Sequence, residues 1–438
     1  MSNLENLKNE IILKVAEYIK IKSESESFLP GKTAIPASGK FIDCDEYINM
    51  VEAVLDGWLT TGRFNDEFQT KLSNFLGIKF LLTTNSGSSA NLLALTALTS
   101  ELLGERAIMP GDEVITVAAG FPTTINPIIQ NNAIPVFMDV DIKTHNIDVS
   151  LLNNALTHRT KAVMLAHSLG NPFNLKVILE FCKKNNLWLI EDNCDALGSK
   201  YNNQITGTFG DIGTLSFYPA HHITMGEGGA VFTNNHLLKK ILESFRDWGR
   251  DCYCQPGKDN TCGKRFQWQL GELPYGYDHK YTYSHMGFNL KITDMQAACG
   301  LAQLQKLDYF IQKRKDNFNF LKKRLQSCEE LLQLPEPTEN SEPSWFGFPI
   351  TVKNNSPIQR KELVQYLNQF KIGTRYLFAG NVVKQPYMKH KNYRIVGELK
   401  NTDNIMMNTF WIGVFPSLNE DMLDYVASKI EEIIGVRF

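Results

Sequence analysis

Four groups of residues in this chain have types and spacing that can do chemistry. The first is the turn Asn85-Ser86-Gly87-Ser88-Ser89, between an apolar strand (Phe80–Thr84) and an apolar helix (Ala90–Leu103). Backbone N–H groups at a helix N-terminus, flanked by small residues, bind phosphate. The second is Asp192, after the apolar run Trp188–Glu191. A carboxylate at a strand's C-terminal end opens into the ligand crevice of an open α/β sheet. The third is Ser216 followed five residues later by His221 and His222, before the turn Gly226-Glu227-Gly228-Gly229. An imidazole can take and return a proton near neutrality. The fourth is the cysteine set Cys194, Cys252, Cys254 and Cys262, read as C-x57-C-x-C-x7-C.

Three readings of those cysteines compete: free thiols, a structural zinc, or an iron–sulfur cluster. Four thiolates suit tetrahedral zinc or a [2Fe–2S] centre. The C-x-C step departs from the zinc spacing of C-x2-4-C and weakens that reading. Cys194 is two residues from Asp192, and two extended residues span at most ~7 Å. Whatever Cys194 binds is expected beside the ligand of Asp192, which favours a redox centre over a structural metal. The other four cysteines, Cys44, Cys182, Cys299 and Cys328, fall in helical patterns and read as small hydrophobes.

The elements that must position these residues are legible in outline. The chain has 438 residues, a net charge of −2 and 43% hydrophobic residues. That is enough for two or three domains and excludes bulk nucleic-acid binding or a polybasic membrane anchor. The first twenty residues mix Glu, Lys and Asn with apolar positions, unlike a signal peptide, and no apolar run approaches a membrane span; the expected location is the cytoplasm. Short apolar strands alternating with helices from Phe80 to Glu191 predict an α/β fold with a mixed, mostly parallel sheet. Strands over 213–217 and 229–233 are expected to close it as a hairpin-like pair. The expected division is an N-terminal helix and peripheral arm (1–45), a large ligand-binding domain (46–310) with a loop at 251–285, and a small α+β domain (311–438). That loop, rich in Cys, Tyr and Gly, has no clear period, and a structureless loop of such length is usually functional. A long helix (308–328) is expected to bridge to the small domain.

In order and content these motifs resemble the DegT/DnrJ/StrS group of sugar aminotransferases, fold type I enzymes dependent on pyridoxal phosphate. Further matches are Pro135-Val136-Phe137-Met138-Asp139-Val140-Asp141 and Gly287-Phe288-Asn289 before Thr293-Asp294-Met295-Gln296. The resemblance covers roughly residues 45–435. It implies that Gly87, Ser88 and Ser216 hold the cofactor phosphate, that Asp192 pairs with the pyridinium nitrogen, and that Phe121 stacks on the ring. It also implies a homodimer in which Asn289 reaches the partner's cofactor. Asp195 stands where many members carry a Gln facing the ring hydroxyl, and its role is open. Arg375 is a candidate for the diphosphate of a nucleotide sugar.

In that family the residue at position 221 is the lysine that anchors the cofactor. His221 cannot form that bond, so pyridoxamine phosphate is the expected resident form. Proton removal at the cofactor's C4′ by His221, followed by loss of a β-hydroxyl, becomes the natural path. The Lys-to-His change joined to the four cysteines resembles the iron–sulfur 3-dehydrase branch. It implies a CDP-linked 4-keto-6-deoxy sugar as substrate, a [2Fe–2S] cluster, a separate flavin/iron–sulfur reductase, and a place in 3,6-dideoxyhexose and O-antigen synthesis. Two alternatives stand beside it: a glutamate-coupled 3-dehydratase acting on GDP-4-keto-6-deoxymannose without a working cluster, and an inactive aminotransferase-like binding protein.

Overall fold

In the computed structural model, residues 3–22, 28–254 and 257–435 are described. Residues at the ends of the expected terminal domains, part of the N-terminal arm and Gln255-Pro256 of the cysteine loop lie outside them. Seven strands make the main sheet: β1 (Phe80–Thr84), β2 (Glu113–Val117), β3 (Ile134–Met138), β4 (Thr160–Ala166), β5 (Trp188–Asp192), β6 (Ile212–Ser216) and β7 (Gly229–Thr233). Their order is β1-β7-β6-β5-β4-β2-β3, with the short strand Arg394–Ile395 added beyond β3. All pairs are parallel except those made by β7. Helices cover both faces, so strands such as Glu113-Val-Ile-Thr-Val117 are buried throughout. One core lies between the sheet and helix Leu175–Lys184, and a second between the sheet and helices Gly87–Ala97 and His236–Arg246.

β6 and β7 pair antiparallel as expected but do not close the sheet, because β1 takes the outer edge beside β7. The helix expected over 90–103 runs from Gly87 to Ala97, and a separate 3-10 turn follows at Glu101–Arg106. The bridging helix runs Leu307–Arg324.

The C-terminal region has its own antiparallel sheet, ordered Leu332–Gln333, Gly347–Val352, Thr409–Gly413, Arg375–Tyr376. It is tied back to the main sheet. Arg394 donates to both Glu113 carboxylate oxygens at 3.1 and 2.7 Å. The N-terminal arm is not peripheral. Ile35 and Ala37 are buried, and Ile35 exchanges backbone bonds with Lys371 and Gly373. Among the described residues no helix is long and apolar enough to cross a membrane.

Candidate active site

The C-terminal ends of β1, β5 and β6 bring three of the four groups to one crevice. Ser86 caps helix Gly87–Ala97, its side chain accepting from the Ser89 amide at 3.0 Å. The turn is pressed between two strand ends. A Cβ on Gly87 would lie 2.4 Å from the Ser216 Cβ, and one on Gly229 would lie 2.4 Å from the Ser86 carbonyl oxygen. Only glycine allows Ser216 to reach this helix N-terminus. Ser88, one residue into the helix, is exposed. The donor set suits a phosphate: helix amides, a serine hydroxyl, and no side chain in the cradle.

Asp192 is 5% exposed at the end of β5. One carboxylate oxygen accepts from Asn91 (2.7 Å) and Thr124 (2.6 Å), and the other from the Cys194 amide (3.1 Å). Asn91 is itself held by the Thr214 hydroxyl at 2.6 Å. Asp192 is thus aimed by groups from three elements. Its neighbour Glu191 points the other way, accepting from the amides of Gly207, Phe209 and Gly210 and lying 3.1 Å from His167. The Asn91 and Thr124 partners escape a reading of the sequence. Their only trace is a lone amide inside an apolar helix.

His221 stands beside Asp195, with Nδ1 3.4 Å from Oδ1. This is a contact between neutral groups rather than an ion pair. Burial, with the Arg314 guanidinium, pushes the imidazole down to about 3 against a hydrogen bond to the Cys194 backbone. Burial and the adjacent Asp192 push the Asp195 carboxyl up to about 8. His221 therefore departs from the near-neutral titration expected of it and stays an unprotonated base. The Phe346 ring packs 5.1 Å from the imidazole, tilted 34°. Burial and Arg314 also hold His222 neutral.

The remaining candidates lie further out. Phe121 is 49% exposed, with its ring edge-on to Phe378 at 5.9 Å. Asn289 is exposed and bridges Asp247 through the backbone, and the carbonyl of the next residue, Leu290, accepts from the Asn85 amide of the phosphate turn. Arg375 is exposed, donating to the Thr374 carbonyl.

The cysteines do not assemble as the sequence suggests. Cys252, Cys254 and Cys262 line one small cavity with Asp259, Arg265 and His279. Cys254 contacts Thr261 at 3.0 Å, and the Lys264 amide donates to Cys262. Burial raises the Cys254 thiol, but bonds from Thr261, Cys252 and the Cys262 backbone outweigh it and leave the thiol below its ordinary value. Cys194 is not among them. It sits under Asp192, and burial and that carboxylate hold its thiol well above its ordinary value. Among the described residues no group of three or more His, Cys, Asp or Glu is placed to hold a metal ion. The four thiols expected to hold a [2Fe–2S] centre are thus not gathered in one place: Cys252, Cys254 and Cys262 share a cavity and Cys194 lies apart from it. The reason is physical. The loop is braced within itself by Arg265–Asp278 and Lys280–Asp259, while Cys194 is held at the end of β5 by its amide bond to Asp192.

The chain is similar to known proteins over nearly its whole length. The chain is 65% identical over 433 residues to lipopolysaccharide biosynthesis protein RfbH of Salmonella typhimurium, covering 99% of each chain. It is 49% identical over 428 residues to a dTDP-4-dehydro-2,6-dideoxy-D-glucose 3-dehydratase of Saccharopolyspora spinosa, covering 98% of this chain and 92% of that one. The solved structure of E. coli GDP-4-keto-6-deoxy-D-mannose-3-dehydratase with bound hydrated PLP superposes with a TM-score of 0.80 at 29% identity, covering 90% of this chain and 99% of that one. The architecture is that of the fold type I enzymes, as the family resemblance implied, with the mostly parallel sheet that the strand–helix alternation predicted. With residues 42–431 matching the family model, the chain belongs to the DegT/DnrJ/EryC1/StrS aminotransferase family.

Proposed function

We propose that this protein is a pyridoxamine-phosphate-dependent 3-dehydrase of a nucleotide-linked 4-keto-6-deoxy sugar, serving deoxysugar and O-antigen synthesis. The observation that supports the reading most is that the buried imidazole of His221, which stands where the resembling family has its lysine, lies 3.4 Å from Asp195, three residues beyond Asp192. Helix amides at Gly87 and Ser88 with Ser216 hold the phosphate, and Asp192, aimed by Asn91 and Thr124, holds the ring nitrogen. When bound, the cofactor supplies an amine for the sugar ketone and a ring that accepts electron density. His221 takes the proton at C4′, so that the sugar's C3 hydroxyl can depart. Asp195, kept protonated, donates toward the ring hydroxyl instead of repelling it. Phe121 covers the ring, Arg375 meets the nucleotide diphosphate, and Asn289 completes the site of a second copy in a cytoplasmic homodimer.

CDP as the nucleotide, a [2Fe–2S] centre on Cys194, Cys252, Cys254 and Cys262, and a separate reductase form the finer part of the proposal. The gathering of three thiols supports it, and the position of Cys194 opposes it. A second reading, a glutamate-coupled 3-dehydratase without a working cluster, is kept beside it for that position of Cys194. The test is to supply pyridoxamine phosphate with CDP-, dTDP- and GDP-linked 4-keto-6-deoxy sugars and follow loss of one water by mass spectrometry. No dehydration of any would sink the proposal. Anaerobic protein with about two irons and two sulfides per chain supports the cluster. Colourless, zinc-containing protein, or turnover driven by glutamate alone, supports the second reading.

A further inference from the structure

We infer that Arg314 is the positioning residue of His221, clamping the backbone that carries the imidazole, with a buried water completing the clamp at His222. Arg314 comes from helix Leu307–Arg324, remote in sequence from the crevice, and is 1% exposed. One terminal nitrogen donates to the carbonyls of Trp345 and Phe346, each at 3.2 Å. The other donates to those of Ala220 (3.4 Å) and His221 (3.1 Å). One planar group therefore fixes both the loop bearing His221 and the segment whose Phe346 ring packs on that imidazole. A lysine, a point charge on a flexible stem, has no such fork. Burying a guanidinium is costly unless its donors are met. Here they are met by the backbone of the proposed base.

A guanidinium has five N–H donors. Four have carbonyl partners, and Nε has none in the protein. His222 supplies the complement. Its Nε2 lies 2.9 Å from the Ser344 carbonyl, so Nε2 carries the hydrogen and Nδ1 is a bare acceptor, also without a partner. Arg314 and His222 line the same cavity of about 10 Å³, room for about one water, which Gly39, Lys40 and Phe41 of the N-terminal arm also line. A donor and an acceptor left unpaired beside one cavity are the usual setting of an ordered water.

The inference rests on His221 being the C4′ base, and that reading is tested separately by wild-type C4′ solvent exchange and its loss in His221→Asn. The experiment compares Arg314→Gln and Arg314→Lys with wild type. It measures pyridoxamine phosphate binding, C4′ exchange, and the His221 ring signal in the cofactor-free, ¹³C-histidine-labelled protein. A misplacement of about 1 Å costs on the order of 10²-fold. Arg314→Gln is expected to keep its fold and cofactor, lose about that factor in exchange, and show a shifted or split His221 signal; Arg314→Lys recovers part of the loss. Wild-type exchange with an unmoved signal in a folded Arg314→Gln protein overturns the inference. If that variant does not fold, Arg314→Lys decides: lost exchange with a displaced signal upholds it, wild-type behaviour overturns it. A high-resolution crystal map with no water between Arg314 Nε and His222 Nδ1 removes the water from the clamp.

Discussion

The cofactor crevice and the cysteine loop are built in opposite ways. In the crevice, Asp192, Glu191 and Asn91 are all buried at strand and helix positions, and each side chain is aimed by partners from other elements. In the loop, Tyr253, Phe266, Tyr275, Tyr281 and Tyr283 are each more than half exposed. Its ion pairs, Arg265 with Asp278 and Lys280 with Asp259, stay within the segment. A site carried on rigid elements is specified by the fold around it. A loop held by its own ion pairs is specified by contacts within one segment. The crevice is therefore the part fixed by the surrounding fold, and the loop the part fixed mainly by its own side chains.

The comparison breaks most sharply at His221. His221→Asn is expected to lower C4′ proton exchange by at least about 10²-fold while pyridoxamine phosphate still binds, since a positioned acid–base group contributes roughly 10²–10⁴. Retained exchange would mean that another base works in the crevice.

Acid should undo the body before the loop. Burial holds His145 down to about 4, against the opposing pull of Asp141, while its unfolded value is 6.5. Between those values the unfolded chain binds more protons. The stability it contributes is thus complete above about pH 6.5 and is lost as pH falls toward 4, by about 3 kcal/mol in all. His221, pushed to about 3, acts in the same direction. His145→Asn keeps a residue that tolerates the left-handed backbone there. It should flatten the fall in denaturation midpoint between pH 6.5 and 4; an unchanged slope would refute this account.

Gly87→Ala places a methyl 2.4 Å from the Ser216 Cβ. Overpacking of this kind costs about 1–3 kcal/mol. The measured outcome should be a lower denaturation midpoint together with weaker cofactor binding. Unchanged values for both would show that the cradle gives way.

The smallest effect is expected in the loop. Replacing Cys252, Cys254 and Cys262 together by Ser should change the stability of metal-free protein by about 0.5 kcal/mol or less, the range of surface substitutions. In wild type, thiol alkylation should reach Cys254 first. Cys182 and Cys299, their thiols pushed to about 12 by burial, should stay unlabelled until the protein unfolds. A large loss of stability in the triple variant would place the loop within the crevice's own framework.

The main sheet was legible because parallel strands buried on both faces read as unbroken apolar runs, as in Ala162-Val-Met-Leu-Ala166. Asp192 and Ser216 were legible with it, since strand ends open where ligands bind. The edge position of β1 was not. Its pairing with β7 joins residues about 150 apart, and strand order is not a local property. Arg314 was hidden for a similar reason. In Gln312-Lys313-Arg314-Lys315 it reads as one charge on a solvated face, yet it alone of the three cations turns inward to the His221 loop.

By itself the sequence determined which residues are available for chemistry: a small-residue turn between strand and helix, a strand-end carboxylate, two histidines after Ser216, and a set of cysteines. These are matters of residue type and of short spacing along strands and turns. Only the tertiary structure decided what state those groups hold and which of them meet. Burial and the approach of Arg314 keep His221 neutral, while burial and Asp192 raise the Asp195 carboxyl against the pull of Arg314. Cys194 stays with Asp192, while Cys252, Cys254 and Cys262 gather in a cavity of their own. Desolvation and long-range packing have no signature in local spacing, because they depend on what the rest of the chain brings alongside.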